Sequence, residues 1–192
     1  LSARIKDYSP GWLDDLCRSG KLVWTRLTAR NKGASTALRS TPILLLPRGQ
    51  VGLWSGLTLQ TPVSELSAKT QKVHEALSQH GALFFDELTH EAHLLRSELE
   101  IALQELVGAG LVNADSFAGL RALITPASKR QNRSSRRGRG AFVGGMDDAG
   151  RWALLRRGPT APVVDNQRPA PTPTETLEHI AMTLLRRYGV VF

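Results

Sequence analysis

The chain has 192 residues, 41% of them hydrophobic, and a formal net charge of +8. That length holds one or two domains and that composition fills ordinary small cores, which excludes a wholly disordered or fibrous chain. The strongest apolar run, residues 43–46, is fenced by Pro42 and Pro47 and falls far short of a membrane span, and Leu1 opens no signal-like sequence, so a soluble intracellular protein is expected. Cys17 stands alone and admits no internal disulfide; its place on the apolar side of a short helix reads as buried packing rather than nucleophilic chemistry.

Taken in chain order, Ser9-Pro10 opens a helix through Cys17, and residues 21–27 form a strand that begins a wing. Residues 31–35 are polar and turn-rich, and the apolar run between Pro42 and Pro47 is the return strand. Thr61-Pro62 is a helix start, with the hydroxyl as cap and proline at the first helical position. That helix runs to about His80 with Leu66, Val73 and Leu77 on one face, and Gly81 ends it. Residues 82–84 suit a very short strand, residues 85–91 a second helix, and residues 94–109 a third. The third carries Leu95, Leu99, Ala102, Leu103 and Leu106 as its apolar stripe, with Gly110 as its stop. Residues 111–113 and 120–124 read as two strands around a loop of residues 114–119. Helix, strand, helix, helix and hairpin within residues 61–124 is the winged-helix order.

Pieces of that unit recur. Leu103, Leu106, Val107, Gly110 and Leu111-Val112 echo Leu13, Leu16, Cys17, Gly20 and Leu22-Val23, and Tyr188-Gly189-Val190-Val191-Phe192 echoes His80-Gly81-Ala82-Leu83-Phe84. The fold expected is therefore α+β with tandem winged-helix modules, cut from something larger. Residues 1–60 hold the end of a first module with an elaborated wing, and residues 61–124 a complete one. Residues 125–150 make a basic Gly/Ser/Arg linker, residues 151–171 a docking strand and a Pro-rich linker, and residues 172–192 the start of a third module. Thr172-Pro173-Thr174-Glu175 has the capping-box arrangement and is followed by Leu177, Ile180, Ala181, Leu184 and Leu185 at helical spacing.

The charge is unevenly placed: +6 over residues 1–60, −5 over 61–124, +6 over 125–145 and +1 over 146–192. Attraction to phosphate would thus come from the flanks and the joint, not from the complete module. The third helix occupies the place of a DNA-recognition helix, but Arg96, Glu98, Glu100, Gln104 and Glu105 give it more acid than base. Carboxylates repel phosphates, so this helix is expected to pack on a neighbouring module or subunit and not to read a major groove. The nucleic-acid candidates are Lys129, Arg130, Arg133, Arg136, Arg137 and Arg139 in the joint, Arg121 in the expected wing, and Arg26, Arg30, Lys32 and Arg39 upstream. Trp12, Trp24, Trp54 and Trp152 could stack on bases, but their apolar neighbours favour core packing. His90 and His93 share a helix face without a Cys pair, and Asp147-Asp148 follow Gly144-Gly145; these read as polar residues near turns. No catalytic, cofactor-binding or metal-binding residue is assigned.

Several strings together resemble one family: SPGWLDDLCRSGKLVWTRL, TPILLLPR, LFFDELTHEAHLLRSELEIALQELVGAGLV, GRWALL and TPTETLEHIAMTLLRRYGVVF. They are similar to the C-terminal extension of bacterial large helicase-related (Lhr) proteins across most of the chain. The resemblance implies a DNA-repair helicase with an ATP-hydrolysing motor that moves on single-stranded DNA, and a tandem winged-helix extension similar in architecture to winged-helix DNA glycosylases. It also implies uracil removal in long members, homo-oligomer formation and a place in the bacterial cytoplasm at the nucleoid. ATP and Mg2+ belong to the motor alone, because no G-x-x-x-x-G-K-[ST] loop occurs here. Asp86-Glu87-Leu88-Thr89-His90 lacks the spacing of a helicase Asp-Glu box, and no motif locates a glycosylase carboxylate or base pocket. The segment is expected to bind single-stranded or forked DNA without sequence specificity; the alternative is a winged-helix scaffold that mediates oligomerisation without touching DNA.

Overall fold

Two helices stop in the same way, and each stop launches a strand. The computed structural model describes residues 5–26, 42–55, 62–125, 145–155 and 173–189. After α1 (Pro10–Arg18), the Gly20 N–H donates to the Cys17 carbonyl at 2.9 Å and the Lys21 N–H to the Leu16 carbonyl at 3.1 Å. After the helix Arg96–Gly108, the Gly110 N–H donates to Val107 and the Leu111 N–H to Leu106, both at 2.9 Å. Both glycines hold positive φ, +71° and +66°, the left-handed stop that satisfies the last carbonyls of a helix. The sequence echo is thus a repeated piece of backbone geometry. The second echo agrees: Gly81 and Gly189 end their helices at φ +82° and +79°, each donating to the carbonyl four residues back.

From the first stop runs β1 (Leu22–Thr25), antiparallel to β2 (Leu44–Pro47) with Val23 opposite Leu46, followed by the short α2 (Val51–Ser55). The complete module starts later than Thr61-Pro62. Pro62 and Leu66 are extended around a 3-10 turn at Val63–Glu65, and Ser67 caps α3 (Ala68–His80), its hydroxyl accepting from the Thr70 N–H. Then come α4 (Phe85–Glu91), α5 (Arg96–Gly108) and β3 (Val112–Ala114). Glutamates at the third helical position secure the starts of α4 and α5, Glu87 accepting from the Phe84 N–H and Glu98 from the Leu95 N–H.

The expected strand at residues 120–124 is instead part of a helix, α6 (Phe117–Ile124). The partner of β3 is β4 (Trp152–Leu154), with Asn113 opposite Ala153, and Leu83 bridges to Trp152 on the far side of β4. The docking strand expected of residues 151–156 therefore closes the small sheet of the complete module, past the boundary expected at residue 124. The basic stretch of residues 125–145 falls between α6 and a 3-10 turn at Met146–Ala149. It lies inside the β3–β4 connection and is not a linker between modules.

Helix α6 is held by the same position of both repeats. Asp14 of α1 accepts from the Ala118 N–H at its start, and Gln104 of α5, the equivalent residue, donates to the Leu123 carbonyl near its end. Gly119 is required in this helix: a Cβ there would stand 2.8 Å from Ala114 Cβ and 3.1 Å from Ala149 Cβ. One continuous core joins Leu13, Cys17 and Trp24 to the apolar faces of α3–α6, Met146, Ala149 and Trp152, so the upstream ribbon and the complete module share their interior. A second, smaller cluster places α7 (Pro173–Tyr188) on the other side of that ribbon, with Ile180 buried among Val23, Leu46, Val51 and Trp54.

Candidate nucleic-acid interface

The polar face of α5 is spent on its neighbours. Glu105 accepts from the Ser67 hydroxyl at 2.7 Å and from the Thr70 hydroxyl at 2.6 Å, so it braces the start of α3. Lys69 donates to Glu98 at 2.6 Å, and that hydrogen bond, helped by the Leu95 N–H, holds the Glu98 carboxyl below the usual glutamate range. Arg96 pairs with Asp86 and lies 4.8 Å over the Phe85 ring. The residues that α5 leaves exposed are Arg96, Ser97 and Ile101. As the charge balance led one to expect, the helix packs on its own module and offers phosphate little.

Because Glu98 has a depressed pKa when folded, its contribution is present above the ordinary glutamate pKa and is lost as pH falls through the folded value. In Lys69→Met the Glu98 carboxyl resonance should titrate at higher pH than in the parent, toward the ordinary glutamate value. An unchanged titration would show that the Lys69 contact does not form in solution.

Two of the candidate phosphate contacts fall within the described residues, and both turn inward. Arg121 is not a wing residue: it lies on α6, its guanidinium pairs with the buried Asp14 and sits 5.6 Å over the Phe117 ring. Arg26 follows β1 and donates from Nη1 to the Gly108 carbonyl at 3.1 Å, closing the C-terminal end of α5 where a cation is favoured. Arg30, Lys32, Arg39, Lys129, Arg130, Arg133, Arg136, Arg137 and Arg139 lie outside the described residues, as do the turn at 31–35, the Pro-rich stretch from Pro159 and Thr172 of the capping box. What the structure fixes for the basic joint is its two ends: Thr125 bonds back to the Arg121 and Ala122 carbonyls, and Met146 is in the core.

The remaining chemistry-bearing side chains have structural surroundings. The Cys17 thiol is pushed up to about 11, first by burial and then by the nearby Asp14 carboxylate, which leaves it protonated and inert at neutral pH. Trp24 and Trp152 are wholly buried and stand edge to face at 6.4 Å, while Trp54 belongs to the smaller cluster. Trp12 departs from the expected core role and is half exposed, with Tyr8 edge-on to it at 6.4 Å. His90 and His93 are exposed with ring centroids 6.2 Å apart, and among the described residues no third ligand converges on them. A shallow groove of about 310 Å3 is lined by Glu175, Glu178, His179, Met182, Thr183 and Arg186, all from α7, which gives a base no opposing wall.

Sequence reasoning missed Asp14, which reads as one acid of an Asp-Asp pair on a short helix and proves to be the buried partner of Arg121 and of the start of α6.

The family model of the winged-helix domain of large helicase-related proteins matches residues 1–48, an edge one residue past the end of β2. The chain is 26% identical over 211 residues to the Lhr helicase/uracil glycosylase of Escherichia coli strain K12, a match that covers 100% of this chain and 12% of that protein. It is 30% identical over 208 residues to the Lhr helicase/probable uracil glycosylase of Mycolicibacterium smegmatis, covering 98% of this chain and again 12% of the relative. The chain is an Lhr relative. The Lhr match spans α1 to α7, so the shared core around Trp24 and the inserted basic stretch both lie within it, while the chain covers about an eighth of the length of either Lhr protein. No helix among the described residues is long and apolar enough to cross a membrane.

Proposed function

We propose that the chain is a DNA-binding, architectural segment of the C-terminal part of an Lhr-type DNA-repair helicase, contacting single-stranded or forked DNA without sequence specificity at the nucleoid. The observation that carries this reading is the placement of the densest basic run of the sequence. Lys129, Arg130, Arg133, Arg136, Arg137 and Arg139 leave and re-enter one folded body between α6 and β4, in the connection that makes the wing of a winged helix. Arg30, Lys32 and Arg39 leave and re-enter it between β1 and β2. Each segment is anchored at both ends, so its cations stay close to the folded surface. Arg26 and Arg121 serve as frame for this surface. Helicase and uracil glycosylase activity stand in the names of the relatives; in this reading an ATP- and Mg2+-dependent motor lies outside the 12% that the chain represents.

If the six residues of the β3–β4 connection each neutralise one phosphate, the affinity for single-stranded DNA falls with salt at a log-log slope near −4, set by about 0.7 counterions released per contact. Replacing all six with Ala should flatten that slope to near zero if they act alone, and to the remainder set by Arg30, Lys32 and Arg39 if these share the contact. A slope unchanged by the six substitutions would remove the connection from the interface.

A further inference from the structure

The repeat that relates α1 to α5 also shows which surface α1 lacks. In α5, Glu98 and Glu105 reach Lys69, Ser67 and Thr70, so the stripe Glu98, Ala102, Glu105 faces α3. Ala102 and its neighbour Leu106 are 2% and 0% exposed. Their equivalents on α1, Trp12 and Leu16, are 50% and 39% exposed. Helix α1 is therefore an α5-type helix with no α3-type helix against it among the described residues.

Helix α7 shows the reciprocal deficit. The second echo aligns it with α3, and the buried Thr70, Val73 and Leu77 correspond to Glu178, Ala181 and Leu185, all exposed; Leu185 is 42% exposed where Leu77 is 2%. The apolar contact that α7 does make, through Ile180, uses the position of the exposed Lys72. Its α3-type face remains open. The two open faces also match in chemistry. The ion pair Lys69–Glu98 of the closed module is replaced on both sides at once, by Leu177 on α7 and by Tyr8 beside Trp12. Leu177 and Tyr188 extend the same open face of α7, at 58% and 64% exposure.

We propose that these faces are two halves of one helix pair and that the α7 of one copy of the chain packs on the α1 of a second, head to tail. The contact is heterologous, so it continues from copy to copy into a ring or an open chain and does not close as a symmetric dimer. One pair is mismatched: Asp15 takes the place of Glu105, and Glu178 takes the place of the Thr70 hydroxyl that Glu105 uses. Two carboxylates thus meet, and the assembly tightens as salt screens them, with the opposite sign to phosphate binding.

Sedimentation velocity of the full chain over roughly a hundredfold range in concentration should show a mass that rises with concentration. Trp12→Glu and Leu185→Glu change exposed positions, so each variant should keep the parent melting temperature and remain monomeric. Mixed in equal amounts, the two variants should form a heterodimer and stop there, because one retains the α7 face and the other the α1 face. Glu178→Thr should tighten self-association roughly tenfold and reverse its salt dependence. A parent that stays monomeric throughout would overturn the proposal, as would variants that fail to complement each other when mixed. Weaker binding of single-stranded oligonucleotide by Trp12→Glu with no change in mass would do the same, since it would assign this face to base stacking.

Discussion

Trp24→Ala should cost about 4 kcal/mol of stability, within the range for truncating a wholly buried tryptophan. The size follows from what the indole joins. Its Nε1–H donates to the Ser116 carbonyl at 3.0 Å, and its ring meets Trp152 and Phe117 edge to face at 6.4 and 6.3 Å. It projects from β1 of the upstream ribbon into the core of the complete module, so truncation opens a cavity at the seam between them and leaves a carbonyl without its donor. Urea unfolding measures the loss. Beyond the loss itself, the transition should divide into two steps as the ribbon and the module cease to unfold together. A cost below about 1 kcal/mol with a single transition would mean that the seam is held elsewhere.

Asp14→Ala should cost about 3 kcal/mol, because it strands the Arg121 guanidinium, largely buried on α6, and removes the acceptor at the start of that helix. Asp14→Asn keeps an acceptor for the Ala118 N–H and should recover part of the loss. The double variant Asp14→Ala/Arg121→Met should be more stable than Asp14→Ala alone, since no charge is left without its partner. If the double variant is the less stable of the two, the damage comes from packing and not from the stranded charge.

The same carboxylate explains why α6 was not legible. A helix normally announces itself by a local cap and an amphipathic stripe. Ser116 makes no side-chain cap and uses its hydroxyl on the Ala149 carbonyl; the cap comes from Asp14, far away in sequence. Ala118, Gly119, Leu120, Ala122 and Leu123 are all buried, so there is no polar face to give the helical period, and the alternation Leu120, Ala122, Ile124 imitates a strand. The true partner strand is hidden for a related reason, because the basic stretch separates Trp152 from β3 and reads as a boundary.

What could be read were the features governed by neighbours in sequence. The glycine stops at Gly20, Gly81 and Gly110, the glutamate-anchored starts of α4 and α5, and the ribbon bracketed by Pro42 and Pro47 all rest on contacts within a few residues. The start of α3 was misplaced from Thr61-Pro62 to Ser67 for the opposite reason: Glu105, on another helix, fixes the cap. At the candidate interface, the acidic character of α5 was visible in composition, but the inward turn of Arg26 and Arg121 was not, since each answers to a carbonyl or carboxylate remote in sequence.

A basic stretch joined at both ends to one folded body can change length without changing the architecture. Closing a loop costs only about 0.6 kcal/mol more for each doubling of its length, and here neither β3–β4 pairing nor the Trp24 seam depends on how many residues lie between Thr125 and Gly145. Were the same residues a spacer between modules, every insertion would alter their separation. Placed within the wing, the number of cations can drift over evolutionary time by insertion and deletion, and electrostatic affinity can be adjusted while the fold stays constant.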